Sequence, residues 1–298
     1  MIKGIILAGG AGTRLYPSTI SITKQLLPVY DKPLIYYPLS VLMLAGIRDI
    51  LIISTPRDLP SIKNLLGSGR QYGLKLSYLE QPEPNGLAQA LVLGRDYLNG
   101  SACMLILGDN IFYGARFTGI LQRAIADVLD NGGASVFGYP VRDPSRFGVI
   151  EMDMNGKIVS LAEKPQCPKS NIAATGLYVY DANAPAYAAT LKPSPRGELE
   201  ITDLNKLYLS KGLLHLHNLG RGFAWFDTGT HASLLQAAQF VHTIEQNQDV
   251  KIACLEELAW RKGFADRETI LESIKNYKSN EYYGYIRNLL SNEQLLGD

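Results

Sequence analysis

The 298-residue chain predicts an α/β protein: a Rossmann-like, doubly wound mixed sheet with antiparallel additions and a helical C-terminal appendage. Two observations carry that expectation. In the first half, short β-rich runs alternate with segments whose apolar residues recur at helical spacing, the pattern of a parallel sheet covered on both faces. From Val149 the texture changes: VIEMDMNGKIVSL sets Asn155-Gly156 between two alternating runs, a hairpin signal.

Lys3 to Ala8 reads as the first strand, followed by Asp49 to Ser54, Lys75 to Leu79, Ala102 to Leu107 and Ala134 to Pro140. Between them, helices are predicted over Leu34 to Ala45, Pro60 to Leu66, Leu87 to Leu98 and Phe117 to Leu129, several closed by a glycine such as Gly46, Gly67 or Gly132. Beyond the hairpin, IAATGLYVYD is a strand and GELEITDLNKLYLSKG a helix stopped by Gly212. LHLHNLGRGFAWFD then returns to strand, His231 to Asn247 is a long helix, and a helical texture runs to Asp298. No repeat, low-complexity tract or linker interrupts the chain, so one catalytic domain over 1–245 with an appendage over 246–298 is expected, packed on that domain or at a subunit interface.

Composition narrows the function. The formal net charge is +1 and no Lys/Arg-rich tract is present, so neither nucleic acid nor a membrane surface is the expected partner. Small ligands fit better. No signal peptide is readable after Met1-Ile2-Lys3, and no run approaches the roughly 18 apolar residues of a membrane span. Cys103, Cys167 and Cys254 are odd in number and far apart, which fits neither a disulfide framework nor a zinc site, and a cytoplasmic location is expected. Asn99-Gly100-Ser101 matches a glycosylation sequon but reads as a turn.

The chemistry starts in GIILAGGAGTRLYP, where the first strand enters a loop of glycines. Backbone N–H groups there can approach an anion closely, because no Cβ stands in the way. The phosphate-loop pattern fails, since Thr13-Arg14 follows the glycines without a lysine, and the dinucleotide fingerprint fails at Leu15 and Pro17. A plain strand-to-loop turn is the alternative reading. Arg14 and Lys24, just beyond the loop, are cations suited to phosphate oxygens. In LILGDN, Asp109 follows an apolar run that reads as a central strand, and so faces the crevice beyond the strand ends. Asp227, in AWFDTGT, is a second carboxylate among aromatic residues, and the two suit Mg²⁺; a strand-end cap and a helix N-cap are their alternatives.

GGAGTRLYPST, KQLLPVYDKP, GLAQAL, LGDN, FGVIE, EKP, TGLYVYD, SPRGELEITD and WFDTGT, in this order, resemble the sugar-1-phosphate nucleotidylyltransferases, and among them the glucose-1-phosphate thymidylyltransferases. The resemblance runs from about residue 2 to 245 and is weaker beyond Gln246. It implies transfer of a thymidylyl group from dTTP to glucose 1-phosphate with Mg²⁺ as cofactor, the first step of deoxysugar synthesis. It also implies a nucleotide-binding half over about 1–140 and a sugar-phosphate-binding half over about 141–245. The nucleotide would lie on Leu7, Gly9, Gly10, Gly12, Thr13, Arg14, Gln25, Gln81, Gly86 and Asp109, with Gln81 and Gly86 facing the base and Lys24 neutralising pyrophosphate. Asn110, Gly148, Glu163, Lys164, Thr175, Tyr178 and Arg196 would hold the sugar phosphate, Lys164 and Arg196 taking its phosphate. The catalytic set is then Arg14, Lys24, Asp109, Lys164 and Asp227, with Asp109 and Asp227 on the metal.

The second pKa of a phosphate monoester lies near about 6, so the attacking oxygen is already ionised and no general base is needed. The four histidines, His215, His217, His231 and His242, are accordingly given structural roles. Some members of this family carry a histidine after the LGDN strand in a secondary nucleotide pocket. This chain has Thr118 in that region, and Arg221 and Arg261 are either part of such a pocket or surface ion-pair residues. The resemblance implies a homotetramer, a dimer of dimers, and Tyr282, Tyr283 and Tyr285 either pack at an interface or cap the chain's own core. Two alternative functions stay open: the same reaction with UTP or another sugar 1-phosphate, and a nucleotide-sugar sensor without turnover.

Overall fold

The computed structural model describes residues 2–10, 12–278 and 280–291; Ala11 in the glycine loop and residues 292–298 of the expected appendage lie outside the described residues. In chain order its strands are β1 (Ile2–Leu7), β2 (Pro28–Val29), β3 (Lys32–Pro33), β4 (Asp49–Ser54), β5 (Lys75–Glu80), β6 (Ala102–Leu107) and β7 (Asn110–Gly114). They continue with β8 (Ala134–Pro140), β9 (Gly148–Met152), β10 (Ile158–Glu163), β11 (Ile172–Tyr180), β12 (Leu214–Asn218) and β13 (Phe223–Asp227).

The main sheet runs β10-β9-β11-β6-β1-β4-β5, with β8 joined to β11 and β12 to β8. Strands β6, β1, β4 and β5 are mutually parallel. Alternation along them splits the core in two: Ile6, Ile52, Met104 and Ile106 face one apolar cluster, and Ile5, Leu51, Leu105 and Ile53 the other. Helices cover both faces. The chain leaves β1 toward β4 and β5, then returns to β6 on the other side of β1, which makes the gap between β1 and β6 the switch point of the sheet. The glycine loop follows β1 and Asp109 follows β6, so topology alone brings them to one crevice.

Three elements differ from the expectation. The helix expected over Leu87 to Leu98 is two, Gln89–Leu93 and Arg95–Leu98, divided at Gly94, where a Cβ would lie 3.0 Å from the Ala90 carbonyl and 3.2 Å from Ile5. β8 is separated from β6 by β11, which pairs antiparallel with both. Finally, LHLHNLGRGFAWFD forms two strands that part company: β12 joins β8 in the main sheet, whereas β13 pairs with β7 in a separate ribbon. The hairpin β9–β10 forms as expected, with Asp153 Oδ1 accepting from the Asn155 and Lys157 amides at 2.9 Å each to shape its turn.

The C-terminal helices Leu255–Arg261, Arg267–Ile274 and Glu281–Ser291 pack on this domain: Leu255, Ile270, Ile274, Tyr282 and Ile286 join the cluster that contains Ile6 and Ile52. Tyr282 and Tyr285 are turned inward, donating to Glu256 and Glu257 at 2.7 and 2.8 Å.

Candidate active site

Beyond the carboxyl ends of β1 and β6 lies a cleft of about 710 Å³. At its floor the chain leaves β1 through Gly9 and Gly10. Gly10 has φ +105°, and a Cβ on Gly9 would lie 2.7 Å from Gln81 Oε1, so neither position accommodates a larger residue easily. Ser54 Oγ donates to the Ala8 carbonyl at 2.9 Å and Thr19 Oγ1 to the Gly12 carbonyl at 2.7 Å, holding the loop at both ends.

Of the expected residues, the cleft is lined by Leu7, Gly9, Gly10, Arg14, Lys24, Gln25, Gln81, Gly86, Asp109, Asn110, Gly148, Glu163, Lys164, Tyr178, Arg196 and Asp227. Gly12 and Thr13 do not line it. Thr175 does not either: it is fully buried in β11 between Ala174 and Gly176, which do, and the pleat turns its side chain to the other face. Its Oγ1 has no hydrogen-bond partner among the described residues.

The two aspartates are joined by the β7–β13 ribbon. Asn110 opposes Asp227 in the register, and Thr228 donates to the Asp109 carbonyl from Oγ1 at 2.8 Å and from its amide at 3.2 Å. Asp227 does not cap the next helix; Thr230 does, in a reciprocal pair with Ser233. Arg14 and Asp227 converge over Gly229, where a Cβ would lie 3.3 Å from Arg14 Nη2 and 3.2 Å from Asp227 Oδ1.

Electrostatics set the two carboxylates apart. Burial opposes ionisation of Asp109, but the Lys24 ammonium bound to it and the Asn110 amide outweigh burial and hold its carboxyl below the usual range. Asp227 goes the other way. Burial first, and then the Asp109 charge beside it, push its carboxyl up, although Lys24, Arg14 and Arg146 partly offset both. On the other side of the cleft, Arg196 Nη2 meets both Glu200 oxygens at 2.8 Å and Glu163 at 3.5 Å, while Thr202 Oγ1 donates to Glu163. Lys164 sits 3.5 Å from Glu163 with its backbone at φ +43°.

Sequence reading missed Arg146, Phe147, Glu198, Glu200, Thr202 and Trp225, all in the lining. Arg146 Nη2 stands 3.8 Å from Asp227 Oδ2, with its guanidinium 5.4 Å from the Phe147 ring centre. Its signal was its place two residues before Gly148; that of Trp225 was its place two before Asp227. A serine, a histidine and an aspartate do meet elsewhere, at Ser135, His217 and Asp127, but one nitrogen, His217 Nε2, serves both contacts, at 3.2 and 3.3 Å, so no proton relay runs through the ring. Arg261 is bonded to Glu257 at 2.7 Å.

A family model described as nucleotidyl transferase matches residues 3–244. The chain belongs to the nucleotidyl transferase family. It is 57% identical over 284 residues to a glucose-1-phosphate thymidylyltransferase of Xanthomonas campestris pv. campestris (strain B100), covering 95% of each chain. To one of Neisseria meningitidis serogroup A it is 56% identical, covering 97% of this chain and 99% of the relative. A crystal structure described as a glucose-1-phosphate thymidylyltransferase of Bacillus anthracis with sucrose superposes with a TM-score of 0.74 at 41% identity, covering 80% of this chain and 95% of that one. For this nucleotidyl transferase, the match spans every lining residue of the cleft named above.

Proposed function

We propose that the protein is a glucose-1-phosphate thymidylyltransferase, which transfers the thymidylyl group of dTTP to α-D-glucose 1-phosphate and releases pyrophosphate and dTDP-glucose, the entry point of deoxysugar synthesis. The names of its relatives support the activity, and one feature of the cleft supports the chemistry. Five cationic and five acidic side chains line it, so their formal charges balance. Two polyanions need surplus positive charge, and a divalent cation between Asp109 and Asp227 would supply it.

The donors fit such an ion: both are hard carboxylate oxygens, and burial first, then the Asp109 charge beside it, raise the carboxyl of Asp227, a cost that a cation would relieve. Among the described residues, no group of three or more His, Cys, Asp or Glu could hold a metal unaided. Mg²⁺ suits such a site, since it takes one or two carboxylates and completes its shell with phosphate oxygens and water. When bound, it lowers the cost of charge on the α-phosphate and on departing pyrophosphate.

The chain's own residues do the rest by position. Gly9 and Gly10 leave backbone N–H groups open to the triphosphate, and Arg14 and Lys24 neutralise the leaving pyrophosphate. Gln81, fixed by donating to Gln89 at 2.6 Å, faces the base beside Gly86. Lys164 and Arg196, with Arg146, bind the sugar phosphate, and its ionised oxygen attacks in line without a base. Glu163, Gly148 and Tyr178 bound the sugar's space, and Thr175 supports them from behind the strand. Residues 1–245 form the catalytic part in this reading, halved near residue 140, and the appendage braces it.

The purified protein should release pyrophosphate from dTTP and glucose 1-phosphate only with Mg²⁺; binding without release would leave a sensor in its place. A panel of dTTP, UTP and CTP decides the base, since thymine differs from uracil by one methyl worth about 0.8 kcal/mol. The homotetramer is part of the same proposal, and light scattering tests it against the 32.8 kDa subunit. No helix among the described residues is long and apolar enough to cross a membrane; a cytoplasmic site of action is part of the proposal.

A further inference from the structure

We infer that Asn110 is a positioning residue that fixes the rotamer of Asp109, itself oriented by the indole N–H of Trp225, and that the pair acts on the divalent cation rather than on the sugar. The inference rests on the proposed metal role of Asp109. Trp225 Nε1 donates to Asn110 Oδ1 at 2.7 Å, and the Gly176 amide donates to the same oxygen at 3.1 Å. Two N–H donors on one side of an amide demand its oxygen there, so the NH₂ must point the other way. It donates to Asp109 Oδ1 at 2.9 Å. The line Trp225 to Asn110 to Asp109 therefore has one direction, and both carbonyl lone pairs of Asn110 are used before any ligand arrives.

The surroundings make the arrangement stiff. Asn110 is 2% exposed, and a Cβ on residue 176 would lie 2.6 Å from its Oδ1, so only glycine lets the strand come close enough to donate. Asp109 Oδ2 is taken by Lys24, which leaves the carboxylate anchored at both oxygens. Trp225 and Asn110 belong to the two strands of the ribbon that also carries Asp227, so one small element sets the orientation of both carboxylates. Partners behind a ligating carboxylate commonly set metal affinity through such orientation.

Calorimetric titration of dTTP in Mn²⁺ and in EDTA tests this, because the ratio of the two affinities isolates the metal's contribution without turnover. Asn110→Ala and Trp225→Phe, the second keeping an aromatic ring, should each cut the metal-dependent gain about tenfold, with the affinity in EDTA unchanged. A gain left intact in both variants would overturn the inference, as would an unchanged gain with a raised KM for glucose 1-phosphate, which would make Asn110 a sugar contact. A wild-type protein with no gain from Mn²⁺ would instead overturn the metal site itself, and the positioning role with it.

Discussion

Asp109 and Asp227 are the same side chain in the same cleft, and their surroundings give them opposite signs. The carboxyl of Asp109 is held below its ordinary value of 3.8, so its ionised form stabilises the fold above that pH and the contribution is lost as pH falls through the depressed value. The carboxyl of Asp227 is raised above 3.8, so its ionised form costs stability, and the cost grows as pH rises from 3.8 to the raised value and is full beyond it. Asparagine at each position should therefore move metal-free stability in opposite directions at pH 7. Asp109→Asn strands the Lys24 ammonium and is expected to cost about 3 kcal/mol, whereas Asp227→Asn removes a repulsion and should raise the melting temperature. Both should lower turnover by about a hundredfold or more. Thermal unfolding in EDTA, set beside the pyrophosphate assay, reads both; equal signs in the melting shifts would contradict this electrostatic account.

At the scale of elements, the helix His231–Gln248 begins four residues after Asp227, and its reciprocal cap of Thr230 and Ser233 determines where the chain turns out of the ribbon. Thr230→Ala should cost about 1 kcal/mol of stability, seen as a lower urea midpoint with an unchanged slope; an unchanged midpoint would mean the ribbon alone fixes the turn. This junction also marks the limit of what the sequence makes legible. Residues set by local pattern were readable: Ile and Leu runs marked β4 and β6, and glycines marked the first loop. The β7–β13 ribbon was not. Asn110 to Gly114 follows β6 after only two residues and looks like its overrun, and its partner lies more than a hundred positions away, so no local period reveals the pairing. The same non-locality hid Trp225, whose role depends on an amide across that ribbon, and the insertion of β11 between β6 and β8, which both strands' patterns permit equally.

At the scale of the whole molecule, residues beyond 245 are tied to the N-terminal part by buried charge as well as by apolar packing. Glu245, with its side chain 1% exposed, accepts from Lys32 and Lys251 at 2.9 Å each and from the Ile252 amide at 2.8 Å. Asp31 meets Lys251 at 3.0 Å and also contacts Lys32, so two acids and two lysines balance inside the protein, with the exposed Glu281 meeting Lys251 at 3.0 Å from the rim. Such a cluster is dangerous to break from one side, because the surviving charges keep their desolvation penalty and lose their partner. Glu245→Gln leaves a surplus positive charge among the buried groups and should cost about 3 kcal/mol. The double change Glu245→Leu with Lys32→Met should cost less than the sum of its single changes, since the two sites share one interaction. The two tryptophans make the readout regional: Trp225 reports on the cleft and Trp260 on the first C-terminal helix. Because Leu255, Ile274 and Ile286 share a core with Ile6 and Ile52, fluorescence from both and circular dichroism should shift together in one transition. Two separated transitions in Glu245→Gln, the earlier confined to Trp260 fluorescence, would show instead that the appendage unfolds alone and that its charges merely dock it.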